Sequence, residues 1–311
     1  MLWLYIIIGV FVVVFLALEV SAILIARLAI INKGPWNTDN NDPHIKSFPK
    51  DLKEISDRNV AWYQNNGEWV SMKTNDGINS FAKVFVKEGA KKTIILVHGY
   101  RGFPEADFSI INDWLRTLNV NLIYIRHRAS TPCDGKRITM GVFEKEDIHM
   151  WSEYAHHKFG GDIYLFGVSM GCATILMSLD KKYPDYVKGI VADCGFSNIY
   201  DQYRFMVEKY LGKPLSHMAM FLCRPWVYAF GKFHIKKWDI PKILRKCENK
   251  IPAFFAHGKA DQFVLPYHTE RNFEAYPGNK KIILVEHAYH GMSYAYSKDE
   301  YQKNVLEILG L

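Results

Sequence analysis

The chain has 311 residues, 49% of them hydrophobic, and a formal net charge of +7. This length allows one large buried core, because α/β domains of roughly 200 to 250 residues often stay undivided. Lysine and arginine are scattered among the acidic residues instead of forming an Arg-rich arm, which argues against nucleic-acid binding. The mild basic excess suits the surface of an anionic membrane.

The cysteine pattern favours neither a disulfide framework nor a metal site. There are five cysteines, an odd number, and no two of them have a CxxC or other metal-ligand spacing. We therefore expect reduced thiols, most of them buried. The five are Cys133, Cys172, Cys194, Cys223 and Cys247. Nothing in the sequence resembles HExxH or a dinucleotide-binding glycine loop, so no metal or other cofactor is expected.

The amino-terminal segment, residues 1–31, is predicted to be a transmembrane anchor. Residues Leu2–Leu18 are uninterrupted apolar or aromatic, and after Glu19 apolar character resumes through Ala26, which is long enough to cross about 30 Å of hydrocarbon. A cleaved signal peptide is the alternative, but no Lys or Arg precedes the apolar run. Basic residues from Arg27 onward favour a single-pass protein with its catalytic domain in the cytoplasm, and the unpaired cysteines favour the same side.

Residues 32–58 are predicted to be a tether, because Asn, Asp, Pro and Lys dominate their first half and leave little apolar content to pack. Residues 59–311 are predicted to form the catalytic domain. It begins with two strand-like pieces, Glu68–Met72 and Phe81–Val86, separated by Asn75-Asp76-Gly77. That turn sequence predicts an antiparallel hairpin at the edge of a sheet.

Short apolar runs then alternate with helical stretches, which is typical of a mostly parallel central sheet flanked by helices, an α/β fold. The predicted strands are Thr93–Val97, Leu122–Ile125, Ile163–Phe166, Gly189–Ala192, Ala253–Ala256 and Ile282–Val285. Predicted helices between them are Glu105–Leu118, Glu144–Phe159 and Gly171–Lys182. About sixty residues separate the fourth and fifth of these strands, more than a crossover needs. We expect a helical cap there, at about residues 196–246.

A G-x-S-x-G sequence, Gly167 to Gly171, directly follows the apolar run Ile163–Phe166 and opens the helical stretch Cys172–Leu179. A nucleophile elbow requires this context of strand, tight turn and helix. Glycines are needed because a side chain at either end of the turn would collide with the neighbouring strand or helix. Ser169 is therefore the predicted nucleophile.

A serine hydroxyl needs a base to take its proton and a carboxylate to orient that base. Asp261 follows one predicted strand and His290 follows the last, so both lie at the carboxyl edge of the sheet. They are the predicted acid and base, with Asp193 and His287 as alternatives. His257 is expected to make local structural contacts.

The oxyanion of a tetrahedral intermediate needs hydrogen-bond donors. The backbone N–H of Met170, next to the nucleophile, is one candidate. The second is Tyr100, in the loop His98-Gly99-Tyr100-Arg101-Gly102 after the first parallel strand. Arg101 is either solvated or in contact with an anionic part of the substrate.

These stretches together resemble the α/β-hydrolase superfamily, in its serine aminopeptidase-like branch, over about four fifths of the chain. Membrane-anchored members look similar to uncharacterised esterases of Gram-positive bacteria. The resemblance implies the α/β-hydrolase fold and hydrolysis of a small acyl or lipid-derived ester. The motifs that carry it are His98-Gly99, Gly167 to Gly171, Val191 to Gly195, His257 to Asp261 and His290-Gly291.

The chain departs from that pattern in two places. Arg126-His127-Arg128-Ala129-Ser130 replaces an Asp-x-Arg-x-x-Gly-x-Ser-like turn, and the cap is basic where an aminopeptidase would need an acidic group for the substrate ammonium. The basic cap favours ester hydrolysis over an alternative peptidase or amidase activity. A non-catalytic membrane scaffold would be expected to lack part of the triad, whereas all three positions are filled.

Overall fold

The computed structural model describes residues 1–32 and 50–311, so residues 33–49 of the predicted tether lie outside the described residues. The described chain forms an eight-stranded sheet in the order β1-β2-β4-β3-β5-β6-β7-β8. The strands are β1 Glu68–Lys73, β2 Asn79–Phe85, β3 Lys92–Val97, β4 Asn121–Ile125, β5 Asp162–Val168, β6 Val187–Asp193, β7 Ala253–Gly258 and β8 Lys280–Val285.

The predicted hairpin lies at one edge of this sheet. β1 pairs antiparallel with β2, and β2 pairs antiparallel with β4. All other pairings, from β4 through β3, β5, β6 and β7 to β8, are parallel. The prediction of a mostly parallel sheet is confirmed, and every predicted strand coincides with an observed one to within two residues at each end.

Helices cover both faces of the sheet. They are α1 Leu2–Ile30, α2 Lys50–Asn65, α3 Pro104–Asp107, α4 Ser109–Leu115, α5 Glu144–Phe159, α6 Met170–Ser178, α7 Ile199–Leu211, α8 Lys213–Gly231, α9 Ile240–Leu244, α10 Tyr267–Ala275, α11 Ser293–Tyr296 and α12 Lys298–Leu309. Alternate residues of a strand point to opposite faces, so Ile95 and Val97 of β3 enter one apolar layer while Ile94 and Leu96 enter the other.

Residues 50–58, which the sequence assigned to the tether, are the first turns of α2. Charged residues dominate this stretch, but α2 as a whole buries one side, which carries Ser56, Asn59, Val60 and Tyr63. The Ser56 hydroxyl is 2.8 Å from that of Ser109 on α4. Amphipathic packing therefore outweighs the low apolar content of this segment.

The long connection between β6 and β7 contains α7, α8, a short 3₁₀ helix at Ile235–Lys237, and α9. We call α7 and α8 the cap helices. α8 packs lengthwise against the second half of α1, where Ala22, Ala26 and Ile30 are buried. Among the described residues, α1 is the one helix that is long and apolar enough to cross a membrane.

Candidate active site

The turn between β5 and α6 holds Ser169 in a strained conformation, with φ 56° and ψ −120°. Non-glycine residues seldom adopt positive φ, and such strain concentrates at functional sites. A Cβ on Gly167 would lie 2.5 Å from the backbone nitrogen of Cys172, and one on Gly171 would lie 2.0 Å from the carbonyl oxygen of Val97. Because both obstacles are backbone atoms, only glycine fits at either end of the turn.

Three predicted residues from three different loops meet at the carboxyl edge of the sheet. His290 Nε2 is 2.9 Å from Ser169 Oγ, and His290 Nδ1 is 2.6 Å from Asp261 Oδ2. An ionised carboxylate can only accept hydrogen bonds, so Nδ1 carries the proton and Nε2 is left to accept the serine proton. This is the tautomer that a general base requires.

Asp261 is held by four hydrogen bonds. Its Oδ1 accepts the backbone N–H groups of Phe263 and Val264 at 2.7 and 2.9 Å, and its Oδ2 accepts from His290 and from His257, the latter at 3.0 Å. Burial alone would raise the pKa of this carboxyl, but the hydrogen bonds from the two histidines outweigh burial and hold the pKa well below its usual range. Asp261 is therefore ionised at neutral pH.

His257 has a more specific position than the sequence indicated. Its Nε2 lies near two acceptors, Asp261 Oδ2 and the carbonyl oxygen of Val264 at 2.8 Å, so Nε2 carries the proton. Its Nδ1 is 2.7 Å from Thr269 Oγ1. The local structural contacts expected for His257 are present, and one of them is the hydrogen bond to Asp261, the predicted catalytic acid.

The alternative acid, Asp193, has no recorded hydrogen bond to His290 or His257 in the described part of the chain. Its two carboxylate oxygens accept hydrogen bonds from Ser293 Oγ and Tyr301 Oη, each at 2.9 Å. Burial raises the pKa of Asp193, and these two hydrogen bonds only partly oppose that effect. The alternative base, His287, is exposed on the surface. The geometry therefore favours Asp261 and His290.

Met170 is the first residue of α6, so its backbone N–H is one of those that a helix leaves without an acceptor inside the helix. Tyr100 lines the same pocket as Ser169 and His290. The preceding residue, Gly99, donates its N–H to Asp107 Oδ2 at 2.6 Å. A Cβ on Gly99 would lie 3.2 Å from Cβ of Ser169, so this loop approaches the nucleophile closely.

The side chains of Tyr100 and Arg101 extend from this loop to the anchor helix. Tyr100 Oη donates to the carbonyl oxygen of Ala29 at 2.7 Å, and the Arg101 guanidinium donates to that of Leu28. Carbonyl groups in the last turn of a helix have no N–H partner within the helix, so they are available to other donors. A cation there also complements the helix dipole. These contacts were not predicted from the sequence, and neither alternative for Arg101, solvation or contact with an anionic part of the substrate, included them.

The arginine-rich run after β4 is structural. Arg126 is buried and pairs with Glu105 at 2.6 Å, and Arg128 forms two 2.7 Å hydrogen bonds with Asp147. Between them, His127 donates its backbone N–H to His98 Nε2 at 3.0 Å. Burial lowers the pKa of His98 well below its usual value, so the ring stays neutral and can accept. These contacts join the loops after β3 and β4 beneath the pocket.

The pocket over Ser169 has a volume of about 300 Å³, the size of a small-molecule site. Apolar groups line one part of it and backbone of the Gly99 to Gly102 loop another. The lining residues include Ile110, Val168, Phe263, His290 and Met292. Such a mixture suits an apolar acyl group with a polar reacting centre.

Cys194, Asp261 and His290 place possible metal-ligand atoms within 4.8 Å of one another. The chemistry of the donors does not suit a metal ion. Burial raises the pKa of the Cys194 thiol well above its usual value, whereas a metal ligand must be a thiolate. Both ring nitrogens of His290 already have partners in the triad.

The sheet order, the elbow and the cap insertion together define the α/β-hydrolase fold. Solved structures of this class match the chain closely in shape. The esterase Pf2001 of Pyrococcus furiosus has a TM-score of 0.64 at 19% identity, over 90% of this chain and 97% of that one. Acetyl xylan esterase 1 of Thermoanaerobacterium has a TM-score of 0.58 at 14% identity, over 84% and 94%. The predicted fold is confirmed, while the serine aminopeptidase-like branch stays a prediction.

Two relatives detected by sequence are described as uncharacterised. The chain is 28% identical over 222 residues to the uncharacterised protein YqkD of Bacillus subtilis, which covers 70% of each chain. It is 21% identical over 220 residues to the uncharacterised membrane protein YNL320W of Saccharomyces cerevisiae, again over 70% of each. No family model matches the chain.

Proposed function

We propose that the chain is a membrane-anchored serine hydrolase that cleaves carboxylic esters through an acyl-enzyme intermediate. The observation that carries this proposal is the continuous hydrogen-bonded path from Ser169 through His290 to Asp261, with spacings of 2.9 and 2.6 Å. The proposed domains are an anchor at residues 1–31, a tether that begins at residue 32, and a catalytic domain with its cap at about residues 196–246.

In the proposed reaction, Ser169 Oγ attacks the ester carbonyl carbon while His290 Nε2 takes the hydroxyl proton. The ionised Asp261 stabilises the resulting imidazolium, and the backbone N–H groups of Met170 and Tyr100 donate to the oxyanion. His290 then protonates the leaving alcohol. Water repeats these steps on the acyl-enzyme, which releases the carboxylic acid and restores Ser169.

Three features support esters as the substrate class. The pocket of about 300 Å³ has room for a short or medium acyl group. Structures similar in fold include Pf2001 and acetyl xylan esterase 1, both named as esterases. The proposed anchor would also concentrate the enzyme where acyl chains are abundant.

The orientation favoured by the basic residues after the anchor places the catalytic domain in the cytoplasm.

The proposal is tested by treating the full-length chain, in detergent, with a fluorophosphonate probe. We expect the wild type to be labelled and Ser169→Ala to lose labelling completely. Ser71→Ala, on the edge strand β1, is the matched control and keeps it. A wild-type chain that is folded yet unlabelled would reject the serine-hydrolase assignment and favour a non-catalytic scaffold.

Substrate class is tested separately with a series of p-nitrophenyl esters of increasing acyl length and a set of aminoacyl amides. We expect turnover of the esters, with a fall in kcat/KM once the acyl group exceeds the pocket volume. Faster turnover of the amides would support the alternative peptidase or amidase activity.

A further inference from the structure

The cap helices carry an apolar surface around the turn that joins them. α7 ends at Leu211 and α8 begins at Lys213, so this turn forms one end of the cap. The large side chains exposed there include Tyr210, 83% exposed, and Phe221, 70% exposed. We call the following residues the cap tip: Tyr210, Leu211, Leu215, Met218 and Phe221.

The second half of α8 packs against the second half of α1. Cys223 Sγ contacts the carbonyl oxygen of Ala22 at 3.7 Å, and a Cβ on Gly231 would lie 3.6 Å from Cδ1 of Ile30. These two contacts are the same number of residues apart on each helix, so α1 and α8 run parallel in register. Toward its amino terminus α8 has no such packing, because every residue of α1 before Glu19 is exposed. In the packed part, Phe221 lies level with about Val20.

A hydrocarbon layer of about 30 Å takes about 20 helical residues, which from the start of α1 reaches about Ser21. The first half of α8 then lies beside the face of the layer nearest the catalytic domain, with Phe221 at that face. On this part of α8 the side chains of Leu215, Met218 and Phe221 are exposed, whereas Ser216 and Met220 face inward. A large apolar patch exposed on one side of a helix is typical of an interface.

We infer that the cap tip inserts into the near leaflet of the bilayer beside α1, and that its partner is membrane lipid. This inference rests on the proposed membrane anchor, because α1 fixes the depth and orientation of the cap. Lys213 is exposed at the same turn, and its flexible stem allows the ammonium group to reach lipid phosphates.

The consequence for the enzyme is that two separate elements hold the pocket at a fixed height above the bilayer. α1 contacts Tyr100 and Arg101 on one wall of the pocket, and the cap contacts the membrane on its own. An acyl chain leaving the leaflet would then meet the cap before it meets water. The inferred substrates are therefore esters that partition into membranes.

The test uses the full-length chain in anionic phosphatidylglycerol and phosphatidylcholine vesicles, labelled with nitrobenzoxadiazole at single introduced cysteines. The cap-tip variants are Leu215→Cys and Phe221→Cys. Phe11→Cys in α1 reports the anchor. Val86→Cys is the matched control, because Val86 is 67% exposed and follows β2, the strand next to the edge strand β1. The unsubstituted chain, labelled in parallel, corrects for the native cysteines.

We expect the emission of the cap-tip probes to move to shorter wavelength and to be quenched when doxyl-labelled lipid is included. The Phe11 probe should behave in the same way. The emission of the Val86 probe should neither shift nor be quenched. Cap-tip probes that behave like Val86, beside a quenched Phe11 probe, would overturn the inference and leave the anchor intact. A blue shift without quenching would overturn it in favour of a second protein chain covering the tip. An unquenched Phe11 probe would reject the anchor and the inference together.

Discussion

The hydroxyl of Tyr100 donates a hydrogen bond to the backbone carbonyl oxygen of Ala29, and this 2.7 Å contact joins the loop beside the nucleophile to the last turn of α1. Tyr100 is the proposed second donor to the oxyanion, so its backbone position bears directly on the proposed reaction. An element proposed to sit in the membrane thus supports the wall of the pocket.

Tyr100→Phe removes this hydrogen bond and keeps the ring. We expect the free energy of unfolding to fall by about 1 kcal/mol, the usual net value of one hydrogen bond. We also expect kcat for a soluble ester to fall several-fold, because the backbone N–H of residue 100 is less firmly placed. Tyr203→Phe is the control, since the Tyr203 hydroxyl is buried without a hydrogen-bond partner in the described structure. Equal effects of the two substitutions would contradict the prediction.

Asp261→Asn is expected to lower kcat by about 10³ to 10⁴-fold, because an amide can stabilise the wrong tautomer of His290 and does not stabilise the imidazolium. The measurement is steady-state hydrolysis of a short-chain ester. Asp193→Asn is the comparison, and we expect it to keep kcat within several-fold while losing about 1 to 2 kcal/mol of stability through its buried contacts. A deeper loss of kcat in Asp193→Asn than in Asp261→Asn would identify Asp193 as the acid.

Gly171→Ala is expected to lower the free energy of unfolding by about 3 kcal/mol or more, because the new methyl group meets the backbone of β3 and the strand cannot move without breaking the sheet. Thermal unfolding followed by tryptophan fluorescence measures the effect. Gly9→Ala is the control, since no atom lies within 4 Å of a Cβ at Gly9. A Gly171→Ala chain as stable as Gly9→Ala would show that the elbow is looser than described.

The buried side chain of His268 is expected to make the free energy of unfolding depend on pH. This side chain is fully buried, and desolvation lowers its pKa to about 3. In the unfolded chain its pKa is about 6.5, so below that pH the unfolded state binds a proton at His268 that the folded state does not bind. The free energy of unfolding therefore has its full value with respect to His268 above about pH 6.5, and it falls as the pH is lowered toward 3.

By this linkage His268 costs about 2 kcal/mol of stability between pH 7 and pH 5. His268→Asn keeps an acceptor for Ser197 without a group that titrates in this range. In urea unfolding of the full-length chain in detergent, we expect the variant to lose about 2 kcal/mol less than the wild type over that interval. His157→Asn, at an exposed histidine, should match the wild type, and a His268→Asn chain that also matched it would reject the pKa assignment.

Much of the fold could be predicted because its strands are short apolar runs that the sheet buries on both faces. The elbow was predictable because backbone crowding admits only glycine at positions 167 and 171, which leaves a recognisable sequence. Asp261 and His290 could be proposed because each directly follows a predicted strand. Local chemistry thus carries most of the information about the candidate site.

Contacts between distant segments were not predictable in this way. α1 is apolar on every side, so nothing in its periodicity separates the buried stripe of Ala22, Ala26 and Ile30 from the exposed surface. The contact of His257 with Asp261 depends on a tight turn between them. The helical start of α2 depends on packing against α4, which local composition does not reveal.

The buried stripe on α1 also limits where the chain can be cut without damage. Ile30 is fully buried, its carbonyl oxygen accepts the N–H of Ile138 at 2.8 Å, and Glu19 accepts the indole N–H of Trp226 at 2.9 Å. The second half of this helix is therefore structurally part of the globular unit. Proteolysis that leaves the catalytic domain stably folded must cleave on the amino-terminal side of Glu19, since cleavage after Ile30 would strip the cap of its packing partner.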